Sequence, residues 1–96
     1  MKCLSVKSPH AENIIVGLKT CEYRSWAPVD TSLPMRIAIH RSGQSGAVIG
    51  TVEVYAVVED APDGGLAWLL REPMPLPCPV PCSGALWLWD CPPLPA

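Results

Sequence analysis

Lys19, Glu22 and Arg24 fall within one short run, Gly17-Leu-Lys-Thr-Cys-Glu-Tyr-Arg24, and together offer two cations and one carboxylate. On an extended chain Glu22 and Arg24 share a face with Thr20, while Cys21 and Tyr23 point the other way. Lys19, at the start of that stretch, can lean to the same side. An arginine fork can grip a phosphate or a base edge through paired hydrogen bonds, and a lysine can hold a phosphate as a point charge. A carboxylate such as Glu22 can accept an amino proton from a base like cytosine. The same groups could also serve hydrolysis, with Lys19 activating and Glu22 drawing a proton from water. On residue type alone the simpler account is structural: Glu22 and Arg24 neutralise each other and Lys19 is solvated. The accounts are compatible, because a paired carboxylate orients the guanidinium that binds.

Other side chains could join them. His40 ends a strand-like stretch and could hydrogen-bond or stack on a base, although a single histidine there is more often plain surface. Glu53 falls mid-strand; facing inward it needs a cation, which Arg24 or Lys19 would supply, and facing outward it is an ordinary surface acid. Trp26 follows the basic run and offers a stacking face. Trp68, Trp87 and Trp89 read as packing residues, and alternation puts the last two on one face. The five cysteines, Cys3, Cys21, Cys78, Cys82 and Cys91, are odd in number and irregularly spaced, a poor disulfide framework. The one short pair, Cys78 and Cys82, has no histidine near it. Reduced thiols are therefore expected, with no metal and no cofactor.

These residues need elements to hold them. Residues 2–7 read as a short strand. Ser8-Pro9 reads as a helix start, with Ser8 capping free N–H groups and Pro9 in the first turn. Ala11, Ile14, Ile15 and Leu18 would form one apolar face, and Gly17 is a natural stop. So short a helix must dock to persist. Strands are expected over 20–25, 35–40, 47–59 and 66–71, with loops or turns over 26–34, 41–46 and 60–65. Gly50 marks a bulge or bend in the longest strand. In Pro73-Met-Pro-Leu-Pro-Cys-Pro-Val-Pro81 proline recurs at every second position, which forces extended geometry. The apolar residues between the prolines favour a barrel segment over a ligand for a proline-binding domain. Residues 85–89 read as a final strand. Several short strands with one short N-terminal helix predict a mainly β fold, a small β-barrel.

Composition sets bounds on function. Ninety-six residues with a 49% hydrophobic and 17% charged composition support one domain, residues 1–96, with a real core. A net charge of −2 argues against a protein that grips long duplex nucleic acid by its phosphates, which should be basic. The charge is uneven, however. Lys2, Lys7, Lys19, Arg24, Arg36 and Arg41 stand in the first 41 residues, whereas Arg71 alone faces six acids in the rest. The N-terminal residues carry no apolar signal core, and no apolar run approaches membrane-spanning length. A soluble protein in a reducing, cytoplasmic setting is expected.

The run Gly17-x-Lys19-x-x-Glu22-x-Arg24, directly after a short helix, resembles the signature of ASCH domains, a branch of the PUA-like superfamily. Leu4-Ser5-Val6 with Ser8-Pro9 and Ala11 resembles the family's opening. Ser25-Trp26, Ile39-His40, Gly46-Ala-Val-Ile-Gly50 with Val52-Glu53, and the tail from Trp68 to Trp89 resemble later blocks in order. Many members carry Trp in place of His10, Gly in place of Trp87, and a longer insertion where this chain has only residues 59–66. The resemblance implies a PUA-like barrel with a polar cleft between helix and sheet, lined by the signature residues. It also implies a ligand that is RNA or nucleotide-like, held by the signature residues Lys19, Glu22 and Arg24, to which residue type and position add Trp26, His40 and Glu53 as candidate ligand-binding residues. Some members hydrolyse N-acylated cytidine and a nuclease activity has been attributed to others, so Lys19 and Glu22 would be the catalytic pair of an amidohydrolase. The hydrolases have threonine where this chain has Glu22, which favours binding. A protein-interaction module built on the proline run is the third reading.

Overall fold

The computed structural model describes residues 1–28, 32–59 and 64–95. The elements are β1 (Lys2–Lys7), α1 (His10–Ile15), β2 (Cys21–Arg24), β3 (Met35–Ser42), β4 (Ala47–Val58), β5 (Leu66–Pro81) and β6 (Leu88–Asp90). The strands form one sheet in the order β2-β5-β4-β3-β1-β6. All pairings are antiparallel except β1 with β3. The sheet curls into a half-barrel, as the mainly β expectation required.

Alternation along β1, β3 and β4 sends Leu4, Val6, Ile37, Ile39, Val52 and Val54 into one core, which Trp68 and Leu70 of β5 complete. The helix docks Ala11, Ile14 and Ile15 on that core. Gly50 is where it seats: a Cβ there would lie 2.7 Å from the Met74 carbonyl oxygen and 2.8 Å from Ile15 Cδ1. The β4–β5 register shifts on either side of Gly50, so the expected bend is real.

Three local expectations are corrected. The helix ends before Leu18, which is 81% exposed and takes no part in the apolar face. Ser8 does not cap backbone N–H groups: its hydroxyl donates to Glu12 Oε2 at 2.6 Å, and Pro9 stands at the N-cap. The final strand begins only at Leu88, so Trp87 does not share a face with Trp89. Trp87 lies outside the strand at φ 64 and is 60% exposed, because left-handed backbone there breaks the alternation. The turn expected over 60–65 falls mostly outside the described residues.

The proline run does continue a strand, as part of β5. Leu76 and Val80 pack against a second buried cluster of Cys3, Ala38 and Val48, but Met74 and Cys78 are exposed. All five cysteines are free. Burial and the neighbouring Cys91 and Cys82 push the Cys3 thiol far above its ordinary value. A thiolate-selective alkylating reagent at pH 8 is therefore expected to label Cys78 first and Cys3 only on unfolding, as read by peptide mass spectrometry. Among the described residues no helix is long and apolar enough to cross a membrane.

Candidate functional site

The end of α1 aims the first functional side chain. Gly17 takes a left-handed φ of 84 just past the last turn. Its N–H bonds to the Ile14 carbonyl and that of Leu18 to the Asn13 carbonyl, the paired bonds of a Schellman stop. The Lys19 N–H also donates to the Asn13 carbonyl, at 3.0 Å, which pins the lysine backbone just before β2 begins.

From there Lys19 Nζ reaches Glu22 Oε1 at 2.9 Å. Glu22 and Arg24 share a face of β2, opposite Trp68 and Leu66 of β5 in register. The guanidinium closes on the other carboxylate oxygen, with Arg24 Nε and Nη2 donating to Glu22 Oε2 at 3.0 and 2.7 Å. Glu22 is only 7% exposed, so its charge needs this clamp on both oxygens. Arg24 Nη2 also donates to the Ser5 carbonyl of β1 at 2.9 Å. β2 is one edge strand and β1 stands next to the other edge, so Arg24 ties together strands from opposite sides of the curled sheet. The trio of Lys19, Glu22 and Arg24 sums to one net positive charge.

A cavity of about 1100 Å³ opens beside this clamp, between β1, β2, the Ser42–Gly46 turn and the segment from Pro81 to Leu86. Its wall includes Arg24 and Glu22, with Lys7 and His10 adding basic groups and Ser42 and Gln44 neutral polar ones. Among the described residues Glu22 is the one carboxylate on that wall, and it is already engaged. An acidic protein thus presents a cleft whose uncompensated charge is positive.

His40 also lines the cleft, but it is 2% exposed, not the strand-end surface histidine that was the commoner expectation. Its Nε2 lies 2.9 Å from the Cys82 carbonyl oxygen, which can only accept, so Nε2 carries the proton. Nδ1 then accepts from the Ser5 hydroxyl at 3.2 Å, and Ser5 Oγ accepts from Trp89 Nε1 at 3.2 Å. The Trp89 ring meets His40 edge-on, centroids 5.5 Å apart. Gly84 and Gly46 lie against the imidazole so closely that a Cβ on either would sit 2.7 or 3.1 Å from it. This chain of bonds anchors the far wall of the cleft to β1 and β3.

Trp26 stands at the cleft's edge. Its carbonyl accepts from Trp68 Nε1 at 3.1 Å, and its ring meets Trp68 and Trp87 edge-on, both at 4.9 Å. Glu53 does not join the group. It faces Arg71 of β5, whose Nε donates to it, and that guanidinium holds its carboxyl below the usual range while lying over Tyr55. The structure therefore gathers Lys19, Glu22, Arg24, Trp26 and His40 around one region and leaves Glu53 outside it. Ser5 joins the cleft wall unanticipated, Trp89 stands behind it against His40, and Trp87 lies outside the cleft wall against Trp26. Ser5 gave no signal in a buried-strand pattern, and the two tryptophans looked like packing.

The ASCH domain matches residues 4–71 of the chain. Among solved structures, ASCH from Zymomonas mobilis superposes with a TM-score of 0.71 at 24% identity, over 83% of this chain and 72% of that one. Two mutant proteins of that same ASCH superpose with TM-scores of 0.71 and 0.70 over the same share of this chain. No curated protein matches the sequence.

Proposed function

We propose that this chain, which belongs to the ASCH domain family, binds a nucleotide-like ligand or an RNA end in the cleft beside Arg24. The observation that carries the reading is the charge of that cleft. In a protein of net charge −2, Lys7, His10 and Arg24 line one concavity where, among the described residues, the only carboxylate is Glu22, already clamped by Arg24 and by Lys19 from outside the cleft wall. A compact anion fits such a place, and a phosphate bearing a base is the compact anion that also uses its polar and aromatic walls. Arg24 has Nη1 free of any partner among the described residues, and Lys19 is ion-paired with Glu22. Arg24 can therefore add a phosphate bond without giving up the clamp.

The same clamp weighs against amidohydrolysis. A general base needs a lone pair aimed at the water it activates. Glu22 is ion-paired with Lys19 at Oε1, accepts two hydrogen bonds from Arg24 at Oε2, and is buried. Two cations held on the carboxylate compete with water for its lone pairs and so disfavour a general-base role, whereas binding uses the clamp as it stands.

An amide-detected NMR titration with cytidine, N-acetylcytidine, nucleoside monophosphates and a short single-stranded RNA tests the reading. Saturable shifts are expected at Lys19, Glu22, Arg24 and His40 with the phosphorylated ligands, and far weaker shifts with cytidine. The logarithm of affinity should fall with the logarithm of salt by a slope of only about −1 to −2, since few phosphates are neutralised. Acetate released from N-acetylcytidine, and lost in Lys19→Ala, would install the hydrolase instead. A well-dispersed spectrum with no shifts would reject both.

A further inference from the structure

We propose that the corner formed by Trp26 and Trp87 is a second subsite. It takes the base next to the phosphate that Arg24 holds, so the ligand is a single-stranded dinucleotide unit. This rests on the binding reading of the cleft and adds the class of ligand.

A separate slot of about 180 Å³ is lined by Ser5, Arg24, Trp26, Ala85, Leu86 and Trp87. Ser5, Arg24, Ala85 and Leu86 also line the main cleft, so the two spaces adjoin and Arg24 forms their shared wall. The slot has room for one flat heterocycle and little else. Its aromatic walls stand at 72°, with ring centroids 4.9 Å apart, so the rings meet edge to face and enclose a corner. Trp26 is held from behind by the buried Trp68, which makes that wall rigid.

Trp87 is the unusual member. The residue is 60% exposed, and its backbone is left-handed at φ 64, a conformation that bulky residues avoid. Core packing does not require it, since Trp68 and Trp26 already close that end. An exposed ring kept in an unfavourable backbone at the mouth of a basic cleft is the kind of outlier that marks a binding position. Every nucleobase offers a π-face to such a ring, so the subsite would be tolerant of base identity. Among the described residues the slot's one charged residue is Arg24, so a cationic ring is disfavoured there and a neutral base beside a phosphate is favoured.

The test compares three probes by calorimetric titration: cytidine 5′-monophosphate, the 5′-phosphorylated dinucleotide of cytidine, and that dinucleotide lacking its second base. The native protein is expected to bind the full dinucleotide about 5- to 150-fold more tightly than the other two, the usual range for one stacked base. Trp87→Ala should lose that advantage while binding the monophosphate as before. Trp87 is exposed and outside any strand, so this variant keeps its fold, which circular dichroism checks. If Trp87→Ala keeps the dinucleotide advantage, or the abasic probe binds as well as the full one, the subsite is overturned and the cleft reading stands. If the native protein binds none of the three, both fall, and the exposed Leu86 and Trp87 belong to a different kind of contact.

Discussion

Arg24→Ala is expected to weaken binding of a nucleoside monophosphate by at least about 30-fold, the lower end of what truncating a hydrogen-bonded charge in a buried site costs. Arg24 is the residue on which the site's three jobs meet. It neutralises the nearly buried Glu22, ties β2 to Ser5 of β1, and forms the wall shared by cleft and slot. Its loss leaves Glu22 with Lys19 alone and the Ser5 carbonyl without its donor. The fold should therefore weaken too, by about 2–3 kcal/mol, toward the low end for a broken buried pair because both side chains keep some exposure to water. Arg24→Lys separates the effects. It keeps the charge but cannot donate to Glu22 and Ser5 as a fork, so stability and affinity should both fall part-way. Calorimetric titration with thermal unfolding on the same samples measures the two. A native-like affinity in a folded Arg24→Ala protein would mean that the cleft's ligand does not touch this residue.

The second large effect is on stability alone. Gly50→Ala places a Cβ 2.7 Å from the Met74 carbonyl oxygen and 2.8 and 3.0 Å from two carbons of Ile15. The carbonyl belongs to the paired strand and the isoleucine to the docked face of α1, so neither can yield freely. Either the helix lifts or the β4–β5 ladder opens. Overpacking of this kind costs about 2–3 kcal/mol. In a domain of this size that corresponds to a melting temperature lower by about 10–20 °C. Helix displacement should also disturb Lys19, whose backbone hangs from Asn13 of the same helix. Differential scanning calorimetry reads the first effect, and loss of ligand affinity at temperatures where the variant is folded reads the second. An unchanged melting temperature would show that the helix does not seat on Gly50 as described.

What the sequence could reveal depended on range. Alternating apolar residues set out β1, β3 and β4 because a strand's two faces are decided by its own residues. Gly17 marked the helix stop because a left-handed C′ position is a local demand. Lys19, Glu22 and Arg24 could be read as neighbours because a few residues of strand put them there. The boundaries failed where backbone left its regular form. Leu18 fits the helical period but lies beyond the turn that Gly17 makes, and Trp87 fits the strand period but precedes the strand.

Everything that required one strand to meet another waited for the tertiary structure. Strand order put Glu53 opposite Arg71, and so away from Arg24. It put His40 of β3 against Ser5 of β1 and the Cys82 carbonyl, and so buried a residue whose position suggested surface. The curl of the sheet brought Arg24 to β1, and the path of the tail after β5 built the cleft's far wall and stood Trp87 beside Trp26. Local sequence determines the elements and the groups carried within one of them, because those contacts span a few residues. The concavity, its net positive wall and its aromatic corner are sums over segments distant in sequence, and only the folded chain places those segments side by side.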